Sequence, residues 1–128
     1  MREALERIRD AMMAHPELVG GERRRLDTAL MRAAPAVLVA KGGAEGLSSI
    51  GILPGRVPAV PEALGLVLKI EDGDAAHRGG SVAVCSALRQ LGVLDPGRVE
   101  GLRDFASPPI RDPRGERAGE VTPIFKIA

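Results

Sequence analysis

A lysine closes the short apolar run Ala36-Val37-Leu38-Val39-Ala40, and Gly42, Gly43 and Gly46 follow it. Five apolar residues bounded by Pro35 and by glycine read as a buried strand, so Lys41 is expected at the strand end. There the sheet can hold its stem while the ammonium enters a cleft, and the glycines let a ligand approach the main chain. The chemistry such a group could serve is acyl transfer. An ammonium lowers a nucleophile's proton affinity or polarises the reacting carbonyl, and backbone N–H groups beside it hold the developing oxyanion. An ordinary edge lysine before a glycine turn is the alternative. The glycines form no phosphate loop, because the lysine precedes them.

Other reactive residues offer less. His15 and His77 stand alone, without a second His, Cys or Glu at the one-turn spacing of helical zinc sites. None of Ser48, Ser49, Ser81, Ser86 and Ser107 is followed by lysine three positions later; Ser86 meets Arg89, a cation that cannot act as a base. Cys85 lies between Val84 and Ala87 in an apolar helical pattern and reads as a buried, inert thiol. Asp27-Thr28 reads as helix-end hydrogen bonding, and Asp72-Gly73-Asp74 as capping of the next helix, since the further ligands of a calcium loop are missing.

Two amphipathic helices should precede the Lys41 strand. Leu5, Ile8 and Met12 mark one over 2–14, stopped by Pro16; Leu26, Ala29, Leu30 and Ala33 mark another, ending before Pro35. Strands are expected over 46–53 and 64–70, paired antiparallel because their links are short. Val84, Ala87, Leu88 and Leu91 place a long helix over about 74–91 that covers one sheet face and stops at Gly92. A short helix should follow Asp95-Pro96. Asp112-Pro113-Arg114-Gly115 supplies a turn between 110–111 and a last strand near 120–124. The class is α+β, an antiparallel sheet layered by helices.

The totals narrow the partners. With 128 residues the chain is one domain or part of one, and a 45% apolar content suits a globular core rather than disorder. Two Phe, no Trp and no Tyr leave no stacking platform for bases, and a net charge of +1 leaves no field to steer a polyanion, so neither nucleic acid nor membrane is expected as a partner. A single cysteine excludes an internal disulfide, and no apolar run reaches membrane-spanning length, which points to the cytoplasm. The 18 basic residues include only Lys41, Lys69 and Lys126 as lysines. Arginine does not release its proton near neutral pH, so each lysine repays inspection.

Five ordered blocks carry a family resemblance: Ala14-His15-Pro16-Glu17-Leu18-Val19-Gly20-Gly21, Leu26-Asp27-Thr28-Ala29-Leu30-Met31, 40–46, 64–73 and 114–120. They resemble the C-terminal part of the asparaginase II family, the Rhizobium-type L-asparaginases, whose fold is similar to serine β-lactamases and glutaminases. The resemblance implies hydrolysis of L-asparagine to L-aspartate and ammonia through a serine acyl-enzyme. It also implies that the Ser-x-x-Lys pair, a second serine and the family's Cys/Lys zinc site lie in an N-terminal part with no counterpart here, so no cofactor is expected in this chain. Lys41-Gly42-Gly43 resembles the Lys-Thr-Gly element of the strand lining that site, with Gly42 lacking the hydroxyl.

By that likeness Lys41 is the catalytic residue, and Gly43 and the Ala44 N–H bind substrate or oxyanion; Glu45 and Asp72 receive no catalytic role. The expected partners are L-asparagine or a similar small amide, and a second copy or the N-terminal half. The alternative function is a non-catalytic remnant serving oligomerisation or small-amide binding.

Overall fold

In a computed structural model, residues 1–58, 60–74 and 78–127 are described. Helix α1 (Arg2–Ala14) fills the expected span, and Pro16 does more than stop it: a short α2 (Pro16–Gly20) starts there, with proline in its first turn. Helix α3 (Leu26–Ala33) follows. Strands β1 (Leu38–Gly42), β2 (Leu47–Ile52) and β3 (Leu64–Lys69) make an antiparallel sheet in the order β1-β2-β3. Then come α4 (Gly80–Gln90), α5 (Pro96–Glu100), α6 (Arg103–Ala106) and a hairpin of β4 (Pro109–Arg111) and β5 (Arg117–Glu120). The chain is α+β, with an antiparallel sheet and helices packed on it.

Three boundaries differ from expectation. Ala36 adopts φ 56°, so 35–37 form a turn and β1 starts later; at its other end the strand runs one residue past Lys41, to Gly42, which leaves Lys41 last but one and opposite Ser49. Helix α4 starts at Gly80 rather than near 74, because Asp74 turns left-handed at φ 47° and its carboxylate caps the helix from outside. Strand β5 ends at Glu120, and the segment expected as strand continues without a ladder. Beyond it Gln90 holds the tail, donating from Nε2 to the Phe125 carbonyl (3.2 Å) and accepting the Ile127 N–H (2.8 Å). The expected helix after Asp95-Pro96 is α5, capped by Asp95, which accepts the Arg98 N–H at 3.0 Å.

Alternation along the strands separates two faces. Leu38, Ala40, Ile50 and Ile52 point into the core with Leu30 and Met31 of α3 and Val84, Cys85 and Leu88 of α4. Leucine, valine and isoleucine fill this core, as the aromatic shortage requires. Lys41, Ser49 and Val67 lie in one row on the opposite face, where Val67 is 68% exposed. Among the described residues no helix is long and apolar enough to cross a membrane.

Candidate active site

Lys41 belongs to the outermost strand of its sheet, and the hydrogen-bond phase of that strand determines what the site offers. Leu53 N–H donates to the Val37 carbonyl (2.9 Å) and Gly43 N–H to the Leu47 carbonyl (2.8 Å), so odd-numbered residues of β1 bond to β2. Leu38, Ala40 and Gly42 therefore direct their amides and carbonyls to the unpaired edge. At that edge two side chains meet Gly42. Its N–H donates to Asp27 Oδ2 at 3.1 Å, and its carbonyl accepts from Lys41 Nζ at 2.6 Å. The exposed Lys41 stem thus leaves the outer face and curls back to the edge.

This edge opens into a concavity of about 1700 Å³ whose wall includes Asp27, Lys41, Gly43, Ser48, Asp74 and Asp104. Its floor at one end is the β1–β2 turn, shaped by Glu45 at φ 55° and Gly46 at φ 69°. A Cβ on Gly46 would lie 3.0 Å from the Gly73 carbonyl oxygen, so the turn rests directly on the loop after β3. Lys69 Nζ also donates to the Glu45 carbonyl and lies 3.8 Å from its carboxylate, tying the same turn to β3.

The predicted site residues come together there, with different capacities. Lys41 presents an ammonium at the edge. The Gly43 N–H is engaged inside the hairpin, and a Cβ at this position would lie 2.8 Å from the Leu47 side chain, which would have to shift to make room. The Ala44 N–H has no acceptor among the described residues. Glu45 and Asp72 engage in local bonding: Glu45 with Lys69, Asp72 with the Asp74 N–H (2.9 Å) and the Arg78 guanidinium (2.8 Å).

Asp74 caps as expected, accepting the N–H groups of Arg78 (2.6 Å), Gly79 (3.2 Å) and Gly80 (2.8 Å). The Asp27-Thr28 pair does more than finish a helix. Thr28 Oγ1 donates to the Gly21 carbonyl at 2.6 Å, with the Pro16 carbonyl at 3.1 Å, which locks α2 against α3. Asp27 reaches across fifteen residues to β1. No local signal announces that contact.

Cys85 is buried, and desolvation pushes its thiol up to about 12. His15 is exposed beside Glu17 at 3.6 Å, and His77 lies outside the described residues. Among the described residues no three His, Cys, Asp or Glu side chains converge as a metal ion requires.

The family model for L-asparaginase II matches residues 1–123, nearly the whole chain. No curated protein matches it. A match of this extent, over the blocks that build the β1 edge, shows that the chain belongs to the L-asparaginase II family.

Proposed function

We propose that this chain supplies the Lys41 wall of an asparaginase-type amidohydrolase, acting on L-asparagine or a similar small amide. The observation that carries the reading is the Lys41 ammonium at the unpaired edge of β1, followed in the β1–β2 turn by the unengaged Ala44 N–H, in a member of this family. When a nucleophile attacks the side-chain amide carbon, negative charge develops on the carbonyl oxygen. Lys41 stabilises that charge, and the Ala44 N–H donates to it. Gly43 gives the turn the close backbone shape that lets substrate approach.

The carbon–nitrogen bond then breaks, ammonia leaves with a proton, and water releases L-aspartate from the acyl intermediate. The nucleophile comes from a segment bearing Ser-x-x-Lys, a pair that does not occur in these 128 residues. The zinc ligands implied by the resemblance belong to the same outside segment. Cys85, buried and protonated, fits no zinc, and no step is routed through a metal. A lone reduced thiol suits a cytoplasmic setting.

The test is ammonia release from L-asparagine by the chain alone and mixed with a separately expressed segment bearing Ser-x-x-Lys. The reading expects turnover only from the mixture. Turnover by the isolated chain would place the nucleophile within it, and a mixture without turnover would refute the reading.

A second reading, a non-catalytic remnant serving oligomerisation or small-amide binding, draws support from Leu5, Ile8 and Leu18, which are 61%, 58% and 82% exposed on α1 and α2. Light scattering that shows a dimer, together with a mixture lacking turnover, would favour it.

A further inference from the structure

Asp27 is a carboxylic side chain only 5% exposed, and it sits in the wall of the concavity, bonded to Gly42, the residue that follows the lysine. Burying a carboxylate is costly unless polar groups meet it. Helix-end bonding alone would leave it in solvent at the first turn of α3, where an acidic residue is favoured anyway. Instead the chain seats it tightly. A Cβ on Gly20 would lie 2.4 Å from Asp27 Oδ1 and 2.8 Å from Thr28 Oγ1, so glycine at 20 is the space this carboxylate occupies. The nearest cation, Arg25 Nε, stands 3.8 Å from Oδ1, beyond hydrogen-bond distance, while Oδ2 accepts the Gly42 N–H.

We propose that Asp27 is a positioning residue: it fixes the Gly42 amide at the unpaired edge of β1 and thereby sets where the Lys41 ammonium and the Ala44 N–H stand. The inference rests on the reading of Lys41 and Ala44 as oxyanion-stabilising groups. The coupling is geometric. Gly42 lies between the two functional residues, its N–H is held by Asp27 and its carbonyl receives Lys41 Nζ. A glycine without that anchor samples many backbone conformations, and a displacement of about 1 Å at a reacting centre can cost about a hundredfold in rate. The charge of the acceptor strengthens the bond relative to a neutral one.

Three variants separate this role from a structural one. Asp27→Ala removes the acceptor. Asp27→Asn keeps an acceptor oxygen of the same reach. Gly20→Ala leaves Asp27 chemically intact but pushes it from its seat. The first readout uses the chain alone: hydrogen exchange of the Gly42 amide by nuclear magnetic resonance. The second is kcat and KM for ammonia release in the mixture with the Ser-x-x-Lys segment.

Asp27→Ala and Gly20→Ala should each raise Gly42 exchange about tenfold and lower kcat about tenfold with KM nearly unchanged, and Asp27→Asn should recover most of both losses. Unchanged Gly42 exchange in Asp27→Ala overturns the proposal. So does an Asp27→Asn variant as impaired as Asp27→Ala, or a rise in KM with kcat unchanged, which would make Asp27 a substrate-binding charge. A silent wild-type mixture fails the functional reading alone, and Gly42 exchange then decides whether Asp27 holds the edge.

Discussion

Replacing Asp74 by alanine should destabilise the chain by about 3–4 kcal/mol, and the structure shows where that comes from. The side chain accepts N–H groups from Arg78, Gly79 and Gly80 and is 5% exposed. Gly80 is buried, so its amide would lose a charge-assisted partner without gaining water, at roughly 1.5–3 kcal/mol. Arg78 is exposed and Gly79 only partly buried, so water replaces much of their bonding, and together they resemble the loss of one helix cap at about 1 kcal/mol. Asp74 also sits at φ 47°, a region that aspartate tolerates better than alanine does.

Asparagine keeps one acceptor oxygen and favours the same backbone, so Asp74→Asn should cost about half as much. The assay is urea unfolding followed by circular dichroism, where the slope should stay constant while the midpoint falls. A cost for Asp74→Ala below about 1 kcal/mol, or equal costs for both variants, would refute the capping argument.

Other expectations concern the turn, the core and pH. Gly46→Ala should cost about 2 kcal/mol, and Gly55→Ala only about 1 kcal/mol, because both have positive φ but only Gly46 presses on Gly73 and Ile70; equal costs in thermal melts would deny that contact. Leu88→Ala, at a position 0% exposed in the core, should cost about 3–4 kcal/mol, against less than about 0.5 kcal/mol for the exposed Leu18→Ala. For Cys85, burial raises the folded thiol from 9.0 to about 12, so the unfolded state releases its proton first. Its contribution is intact below pH 9.0 and is lost as pH rises towards 12, with a slope of up to about 1.4 kcal/mol per pH unit. Cys85→Ala should flatten that slope in denaturation series, and an identical slope would place the titration elsewhere.

How much of this could be read in advance depended on the range of the forces involved. The helix at 2–14 and the helix at 26–33 follow from local periodicity, because each apolar stripe has one place to be buried, and the antiparallel pairing of the three strands follows from their short links. Apolar spacing places the start of α4 too early, because that start is set by the left-handed Asp74, which a count of apolar spacings does not register. The final strand ends at Glu120, where it meets the first residue of β4, Pro109, and the tail beyond is held at Phe125 and Ile127 by Gln90, more than thirty residues away. Lys41 is identifiable from its glycines near the end of β1, yet the curl of its ammonium to the Gly42 carbonyl depends on which backbone groups the strand phase leaves at the edge. Asp27 looked like an ordinary helix-end residue; its meeting with Gly42 exists only after α3 packs on β1.

The central claim is that Lys41 works by charge at an oxyanion. Its side chain is exposed and its hydrogen bond reaches only the Gly42 carbonyl, so removing it should leave stability within about 0.5 kcal/mol. The direct measurement is kcat of Lys41→Ala for ammonia release from L-asparagine in the mixture that carries the Ser-x-x-Lys segment. A fall of about a hundredfold, or about 2.7 kcal/mol of lost transition-state stabilisation, is expected with an unchanged melting temperature. Turnover equal to that of the unmodified chain would contradict the account and return Lys41 to an ordinary edge lysine.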